Sequence, residues 1–435
     1  MEKVLLILSP SGYESVKDRG TEHLASLDND FFEKIFFLCP GSPAHHDVSV
    51  TPRLKLIDTE YPAGINRLHK LGFRYFSFVL GQAYSLFFIC RFIKENRVGV
   101  IRSMEPHVMG FKGVLLKRVL HIKHIQDVRA NFDLIYLGTH KSVWLPAAFP
   151  FFFHKISRKL EKALEGFVYR HSDFIFGGNK NNLDYAIYCG APLDRSAVVR
   201  VNIQPDLFED VSTRENLRDT LDVTGKIILY CGRLSAEKYP GDTVVAFKAL
   251  AEHRKDVCLV IVGDGPDRAN LERLVQENGL QKRVRFLGYK DNQFLKNLFV
   301  SVDMIVCPLA GSVLVEAALA RLPIIAYDFE WHSELIVDNY SGILVNFRNI
   351  PALSQAMAFI LDHSEEARQY GIRAREIGQS LFLPENIIAK EKEIYSEMIQ
   401  QEPLSLTPVN SYKSAFSIST KKTPNPRSGA CQNSG

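Results

Sequence analysis

Short apolar runs alternate with longer stretches of helical periodicity along most of this chain, and the alternation is most regular in its second half. Ile227 to Cys231, Val257 to Val262, Val284 to Leu287, Met304 to Cys307 and Ile324 to Tyr327 are β-rich apolar runs, the pattern of strands covered on both faces. Between them the periodicity predicts helices over Gly241 to His253, Arg268 to Glu277, Asn292 to Val300 and Ser312 to Ala320. The first half repeats the rhythm more weakly, with strands predicted at Val4 to Leu8, Lys34 to Leu38, Leu54 to Ile57, Val100 to Ser103, Lys123 to Val128 and Phe174 to Gly177. This is the signature of the α/β class: two Rossmann-like domains in series, each a parallel sheet wound with helices, facing each other across a cleft.

The Pro-containing connector at Asn202 to Phe208 marks the boundary, giving an N-terminal domain over 1–204 and a C-terminal domain over 205–380. A late helix over 381–402, centred on Ile387 to Ile399, is expected to pack back toward the first domain. The tail 403–435 is rich in Ser, Thr, Pro, Asn and Lys, which predicts disorder.

Composition narrows the class. The chain has 435 residues, too many for one core and enough for two. Its seven cysteines are odd in number and none has metal-site spacing, which suits a reducing cytoplasm without structural zinc. The apolar start Val4 to Leu8 stops at Ser9-Pro10 with no cleavage site after it, so it reads as a buried strand rather than a signal peptide. The most apolar helix, Phe73 to Ile93, contains Gln82 and Arg91, and the uncharged span is read as too short to cross a bilayer. Residues 1–200 carry 27 Lys and Arg against 19 Asp and Glu, a surplus of eight, whereas the rest of the chain has a deficit of four. Basic residues there interleave with aromatics, as in Arg67 to Phe76 and Phe149 to Lys162. Two readings stay open: peripheral attachment to an anionic membrane, and a solvated helix face over a large core.

Candidate chemistry lies in the loops. Arg233 and Lys238, five positions apart, follow the apolar run ending at Cys231, the place where ligands bind in open parallel sheets. Two cations there suit a diphosphate; the alternative is a polar surface loop. Gly263-Asp264-Gly265-Pro266 is a sharp turn after the next strand. Gly311, Ser312 and Val313 open a helix whose free amides favour an anion, and Glu316 in its second turn suits a ribose diol. The histidines read as satisfied loop or core residues: His45-His46 lacks a third ligand, His107 and His121 stand alone, and His332 lies in a loop. No Gly-x-Ser-x-Gly elbow and no phosphate-loop motif occurs, so hydrolase and phosphate-loop ATPase readings lack an anchor.

From about Lys226 to Val345 these residues resemble the retaining glycosyltransferases of family 4, which have the GT-B fold. The resemblance rests on Gly232 to Lys238 (Gly-Arg-Leu-Ser-Ala-Glu-Lys), Val262 to Pro266, Phe286 to Tyr289, Val315-Glu316-Ala317 with Leu322 to Asp328, and Ser341 to Val345. The first half is similar more loosely, best at Asp127 to Asn131 and Leu160 to Ala191. The resemblance implies a UDP- or GDP-linked sugar donor, with Arg233 and Lys238 on the diphosphate, Glu316 on the ribose and the base near Tyr289. It implies further donor contacts at Gly20, Gly263, Gly311, Ser312 and Val313, departure and attack on one sugar face, and neither metal nor cofactor. A hexosyltransferase serving polysaccharide or glycoconjugate synthesis, acting on a glycan or lipid-linked acceptor in the cytoplasm or at the inner membrane face, is the activity expected.

Two positions depart from the family pattern. Pro308 stands where a first glutamate beside the donor sugar is usual, and Arg129-Ala130 stands where a His-Gly pair is usual, making Arg129 a candidate contact to acceptor or donor. The amino-terminal glycine loop is reduced to Gly12 and Gly20, of which Gly20 matches better. Pro308 keeps a rival open, a non-catalytic sugar-nucleotide-binding subunit of a transferase complex. A GT-B epimerase is a second rival, although no dedicated His and Glu acid–base pair stands out. Acceptor choice is expected to lie in first-domain loops, including Ile135 to Ala148.

Overall fold

The computed structural model describes residues 3–13, 24–25, 27–42, 44–144, 150–201, 203, 207, 209, 211–221, 223 and 225–400. Gly20, most of the connector and the tail 403–435 lie outside them.

Two α/β units follow one another. The first contains β1 (Val4–Leu8), β2 (Lys34–Pro40), β3 (His46–Ser49), β4 (Leu54–Thr59), β5 (Val100–Ser103), β6 (Lys123–Val128), β7 (Phe174–Gly177) and β8 (Ser196–Val198), in the order β3-β4-β2-β1-β5-β6-β7-β8. All neighbours pair in parallel except β3, which runs antiparallel to β4 at the edge. Edge strand β3 and short β8 go beyond the predicted strands; β3 is a half-exposed His-Asp-Val-Ser segment with no apolar run to announce it. Helices α1 (Ala63–Lys70), α2 (Arg74–Glu95), α3 (Val108–Leu120), α4 (Phe132–Thr139), α5 (Phe151–His171) and α6 (Lys180–Tyr188) connect the strands. The stretch read as an acceptor loop from Ile135 is therefore partly helical: Asn131 caps α4 by accepting from the amides of Asp133 and Leu134.

The second unit holds β9 (Lys226–Cys231), β10 (Val257–Val262), β11 (Val284–Gly288), β12 (Met304–Cys307), β13 (Ile324–Asp328) and β14 (Ile343–Asn346), all parallel, in the order β11-β10-β9-β12-β13-β14. Helices α7 (Pro240–His253), α8 (Arg268–Glu277), α9 (Asn292–Phe299), α10 (Ser312–Leu319), α11 (Ile350–Asp362) and α12 (Ser364–Phe382) cover its faces in two apolar layers. The chain then returns. Helix α13 (Pro384–Gln400) buries Ile387, Ile394, Tyr395 and Met398 in the core beneath β1, β2 and β5 of the first unit.

Helix α2 corrects one expectation. Phe76–Glu95 is long and apolar enough to span a membrane by length and composition, with mean hydropathy 1.5. Its Ile89 and Ile93 are inserted against the first sheet beside Leu6, Ile101 and Met109, whereas Phe76, Val79 and Phe87 are exposed. The helix is one member of the layer covering the sheet, with a second apolar face turned outward.

Candidate active site

In the second sheet the strand order reverses between β9 and β12, because β10 and β11 extend to one side of β9 and β12 begins the other. The loops leaving adjacent strands at such a point diverge and open a crevice at the carboxyl edge. Arg233 and Lys238 follow β9, and the start of α10 with Glu316 follows β12, so the topology brings these residues to one crevice.

The loop after β9 is held from below. Gly232 N donates to Val262 O (3.0 Å), Leu234 N to Asp264 O (3.0 Å) and Asp267 N to Leu234 O (2.9 Å). This close approach requires glycine on the facing loop. A Cβ at Gly263, whose φ is +127°, would lie 1.9 Å from Gly232 O, and one at Gly265 would lie 2.3 Å from Leu234 O. Leu234 and Ser235 are buried, which leaves Arg233 exposed and Lys238 half-exposed at the end of a single 3-10 turn, Ala236–Lys238. Among the described residues neither cation makes a side-chain hydrogen bond or an ion pair. The carboxylate between them is already engaged, because Ser235 Oγ donates to Glu237 Oε1 at 2.6 Å.

Across the crevice α10 begins at Gly311 with no side chain capping its amides. Helix-start amides and dipole attract an anion. Glu316 projects from α10 among Cys231, Cys307 and Ser312. Burial raises its pKa, and the Ser312 hydrogen bond and the charge of Lys296 oppose that rise without cancelling it. The same carboxylate and burial push the Cys231 thiol up to about 12, burial being the larger cause. Tyr289 stands 60% exposed beyond Gly288, at the carboxyl end of β11. That is two strands from β9, roughly 10 Å away at ordinary strand spacing.

The first unit places its candidates differently. Arg129 lies at the carboxyl end of β6, where Asp127 accepts from its Nη2 at 2.7 Å. Asp127 is fully buried and also accepts from Arg102 Nε at 2.9 Å, while Arg102 Nη1 donates to Glu391 (2.8 Å) and Tyr395 (3.1 Å) of α13. Burial would raise the Asp127 carboxyl, but Arg102 and Arg129 hold it below the usual range. Arg129 is thus pinned by a balanced row of two cations and two carboxylates running back to the last helix. Gly12 faces Asp58, where a Cβ would lie 2.3 Å from Oδ1.

The histidines divide. His332 is buried, with Nδ1 donating to Tyr327 O (2.9 Å) and Nε2 accepting from Ala310 N (3.2 Å), a satisfied core residue. His107 does not stand alone, as its sequence surroundings suggested. It is buried between Glu105 (2.6 Å) and Glu165 (2.8 Å), and Arg158 holds Glu165 from the other side at 2.5 Å. Burial works against the imidazolium, yet the two carboxylates lift its pKa to about 9. Sequence reasoning missed this network and the Arg102 row. The available signals were an arginine inside the apolar strand β5 and Glu391 on the same helical stripe as Ile387, Ile394 and Met398.

The two carboxyl edges meet across the cleft. Lys180 N, at the start of α6 after β7, donates to Glu334 Oε1 at 2.7 Å, and Arg200 pairs with Glu334 Oε2 at 2.6 Å. Helix α4 also touches the 3-10 turn that carries Lys238.

Residues 213–377 match the family model described as glycosyl transferases group 1. The match lies within the second unit and covers less than half of the chain. The alpha-D-kanosaminyltransferase of Streptomyces kanamyceticus is 32% identical over 168 residues, which cover 37% of this chain and 44% of that protein. The chain thus spans less than half the length of that relative. Glycogen synthase of Mycobacterium tuberculosis aligns more widely, at 26% identity over 70% of this chain and 72% of its own. In structure the chain has the GT-B fold. Sucrose-phosphate synthase from Thermosynechococcus elongatus superposes with TM-score 0.70 at 18% identity, covering 92% of this chain and all of that one. Anabaena Alr3699/HepE, solved in complex with UDP, gives 0.65 at 16% identity, covering 91% and 100%.

Proposed function

We propose that the protein is a retaining glycosyltransferase of family 4 that moves a hexose from a UDP- or GDP-linked donor to a glycan or lipid-linked acceptor in polysaccharide or glycoconjugate synthesis. The observation that carries this reading is the pair of cations, Arg233 and Lys238, left without ion pairs among the described residues at the switch point of the second sheet, opposite the uncapped start of α10. Two cations without ion pairs beside free helix amides form an electrostatic receptor for a diphosphate. Glu316, one helical turn deeper, accepts from the ribose hydroxyls. As the glycosidic bond to phosphate breaks, negative charge grows on the leaving diphosphate. Arg233 and Lys238 stabilise that charge, which lets the transfer proceed without a metal.

Calorimetry with UDP, GDP and ADP, without metal and then with magnesium, tests the reading: one nucleoside diphosphate binds without metal, and Arg233→Ala abolishes that binding. Wild-type protein that binds none of them refutes it. Pro308 favours the second reading, a binding subunit, which predicts nucleotide affinity with neither transfer nor donor hydrolysis.

The first unit supports peripheral attachment at the inner membrane face. Helices α2, α3 and α5 each lead into a strand of the first sheet and so start toward its carboxyl edge, on the cleft side. Those turns and their approach expose Phe73, Phe76, Phe111, Phe151 and Phe152 beside exposed Arg67, Lys70, Lys155 and Lys159. Apolar rings flanked by cations match an anionic bilayer surface, and a lipid-linked acceptor held there would lie next to the donor crevice. Flotation with phosphatidylglycerol vesicles but not phosphatidylcholine vesicles is expected; equal partition to both refutes the attachment.

A further inference from the structure

Cys307, the last residue of β12, pairs with Ala326, and β13 runs on against β14 to Asp328, so the loops that follow β12 and β13 leave adjacent strands at the same carboxyl edge. His332 ties the two following loops together through Tyr327 O and Ala310 N. Between them stands Glu330. Its φ of +53° is left-handed, a conformation that glycine adopts freely and a glutamate adopts at a cost. The neighbours hold it there: Phe329 stacks on Phe347 with centroids 4.3 Å apart, and Trp331, 8% exposed, packs against Phe382. The side chain is half-buried, and among the described residues it makes no hydrogen bond or ion pair. Its surroundings are those of the crevice. Burial raises the carboxyl's pKa, and Lys238, one of the two diphosphate cations, supplies the opposing charge.

A strained, half-desolvated carboxylate with unused acceptor oxygens is poorly explained as a structural residue, because it contributes no contact that repays its backbone. We propose that Glu330 binds hydroxyl groups of the transferred sugar, supplying from the β13 loop the carboxylate that Pro308 leaves absent from the β12 loop. Two syn oxygens accept from a pair of neighbouring sugar hydroxyls, and the loop's place beside Lys238 sets the sugar next to the diphosphate. Glu330 thereby fixes which sugar the crevice takes, whereas Arg233, Lys238 and Glu316 fix the nucleoside diphosphate. This inference rests on the donor crevice described under the proposed function.

The test is a difference measurement on the full chain. Dissociation constants are determined for UDP, GDP and ADP and for their glucose, mannose and N-acetylglucosamine conjugates, in wild type, Glu330→Gln and Glu330→Gly. The glycine variant suits the left-handed backbone and guards against misfolding of the glutamine one. The expected result is nucleoside diphosphate affinity within about twofold of wild type in both variants, and loss of about tenfold or more for the preferred sugar conjugate. An unchanged ratio of conjugate to nucleotide affinity in both variants overturns the role of Glu330 and leaves the crevice standing. Wild-type protein that binds no nucleotide overturns the crevice, and Glu330's role with it.

Discussion

The two halves share one architecture and use their charges in opposite ways. In the second unit Arg233 and Lys238 stand at the switch-point crevice without ion pairs among the described residues. In the first, Arg102, Asp127 and Glu391 are buried and paired, Arg129 is tied to Asp127, and His107, Glu105, Glu165 and Arg158 form a second closed network. A charge already paired inside the protein stabilises or orients it, and a charge left unpaired at a crevice awaits a ligand. Under the proposed function, anion binding falls to the second unit. The first unit offers a rigid scaffold, one oriented arginine and an exposed aromatic surface.

The largest expected effect breaks the scaffold. Arg102→Ala strands two buried carboxylates, Asp127 and Glu391, and destabilises by about 3–5 kcal/mol. Urea unfolding measures it, and nucleotide affinity of the protein that remains folded is unchanged. A loss below 1 kcal/mol would show that the row contributes little. The converse comes next. Arg233→Ala or Lys238→Ala lowers transfer about a hundredfold or more, with a midpoint of unfolding close to wild type. Unaltered turnover in both variants would erase the contrast between the halves.

Gly263→Ala should fall between the two classes. The added methyl meets Gly232 O at 1.9 Å and must push away the loop that carries Arg233. Stability drops by about 1–3 kcal/mol and nucleotide binding weakens with it. Equal nucleotide affinity in this variant would mean that the loop's position is not set from below.

The smallest effect sharpens the account of the first unit and is read from pH. His107, raised from 6.5 to about 9 in the folded state, contributes stability that is full below pH 6.5 and is lost as pH rises through 9. Burial would raise Glu165, but His107, Arg158 and Tyr185 depress it from 4.5 to about 2, so its contribution is full above pH 4.5 and is lost as pH falls toward 2. The network is therefore at full strength between about pH 4.5 and 6.5. Thermal denaturation of wild type and His107→Gln across pH 5–10 should converge at the alkaline end. Curves that stay parallel would remove His107 from the linkage.

The sequence by itself determined the α/β class, most of the strands and helices of the two sheets and the loops that flank the crevice, and its resemblance to a known family added GT-B. Continuous apolar runs and helical periodicity are local properties, and Arg233, Lys238, Gly263 and Glu316 lie within a few residues of the strand ends or helix starts that position them. Edge strand β3 escaped because its half-exposed segment has no apolar run. Tertiary structure alone decided which charges are consumed. Arg102 meets Glu391 across 289 residues of sequence, and Lys180 meets Glu334 across 154. Each such pairing forms because burial makes an unpaired charge costly, and no local period encodes which distant partner will be there. The same holds for Glu330, whose left-handed backbone is held by aromatic packing on either side and whose neighbour Lys238 comes from another loop.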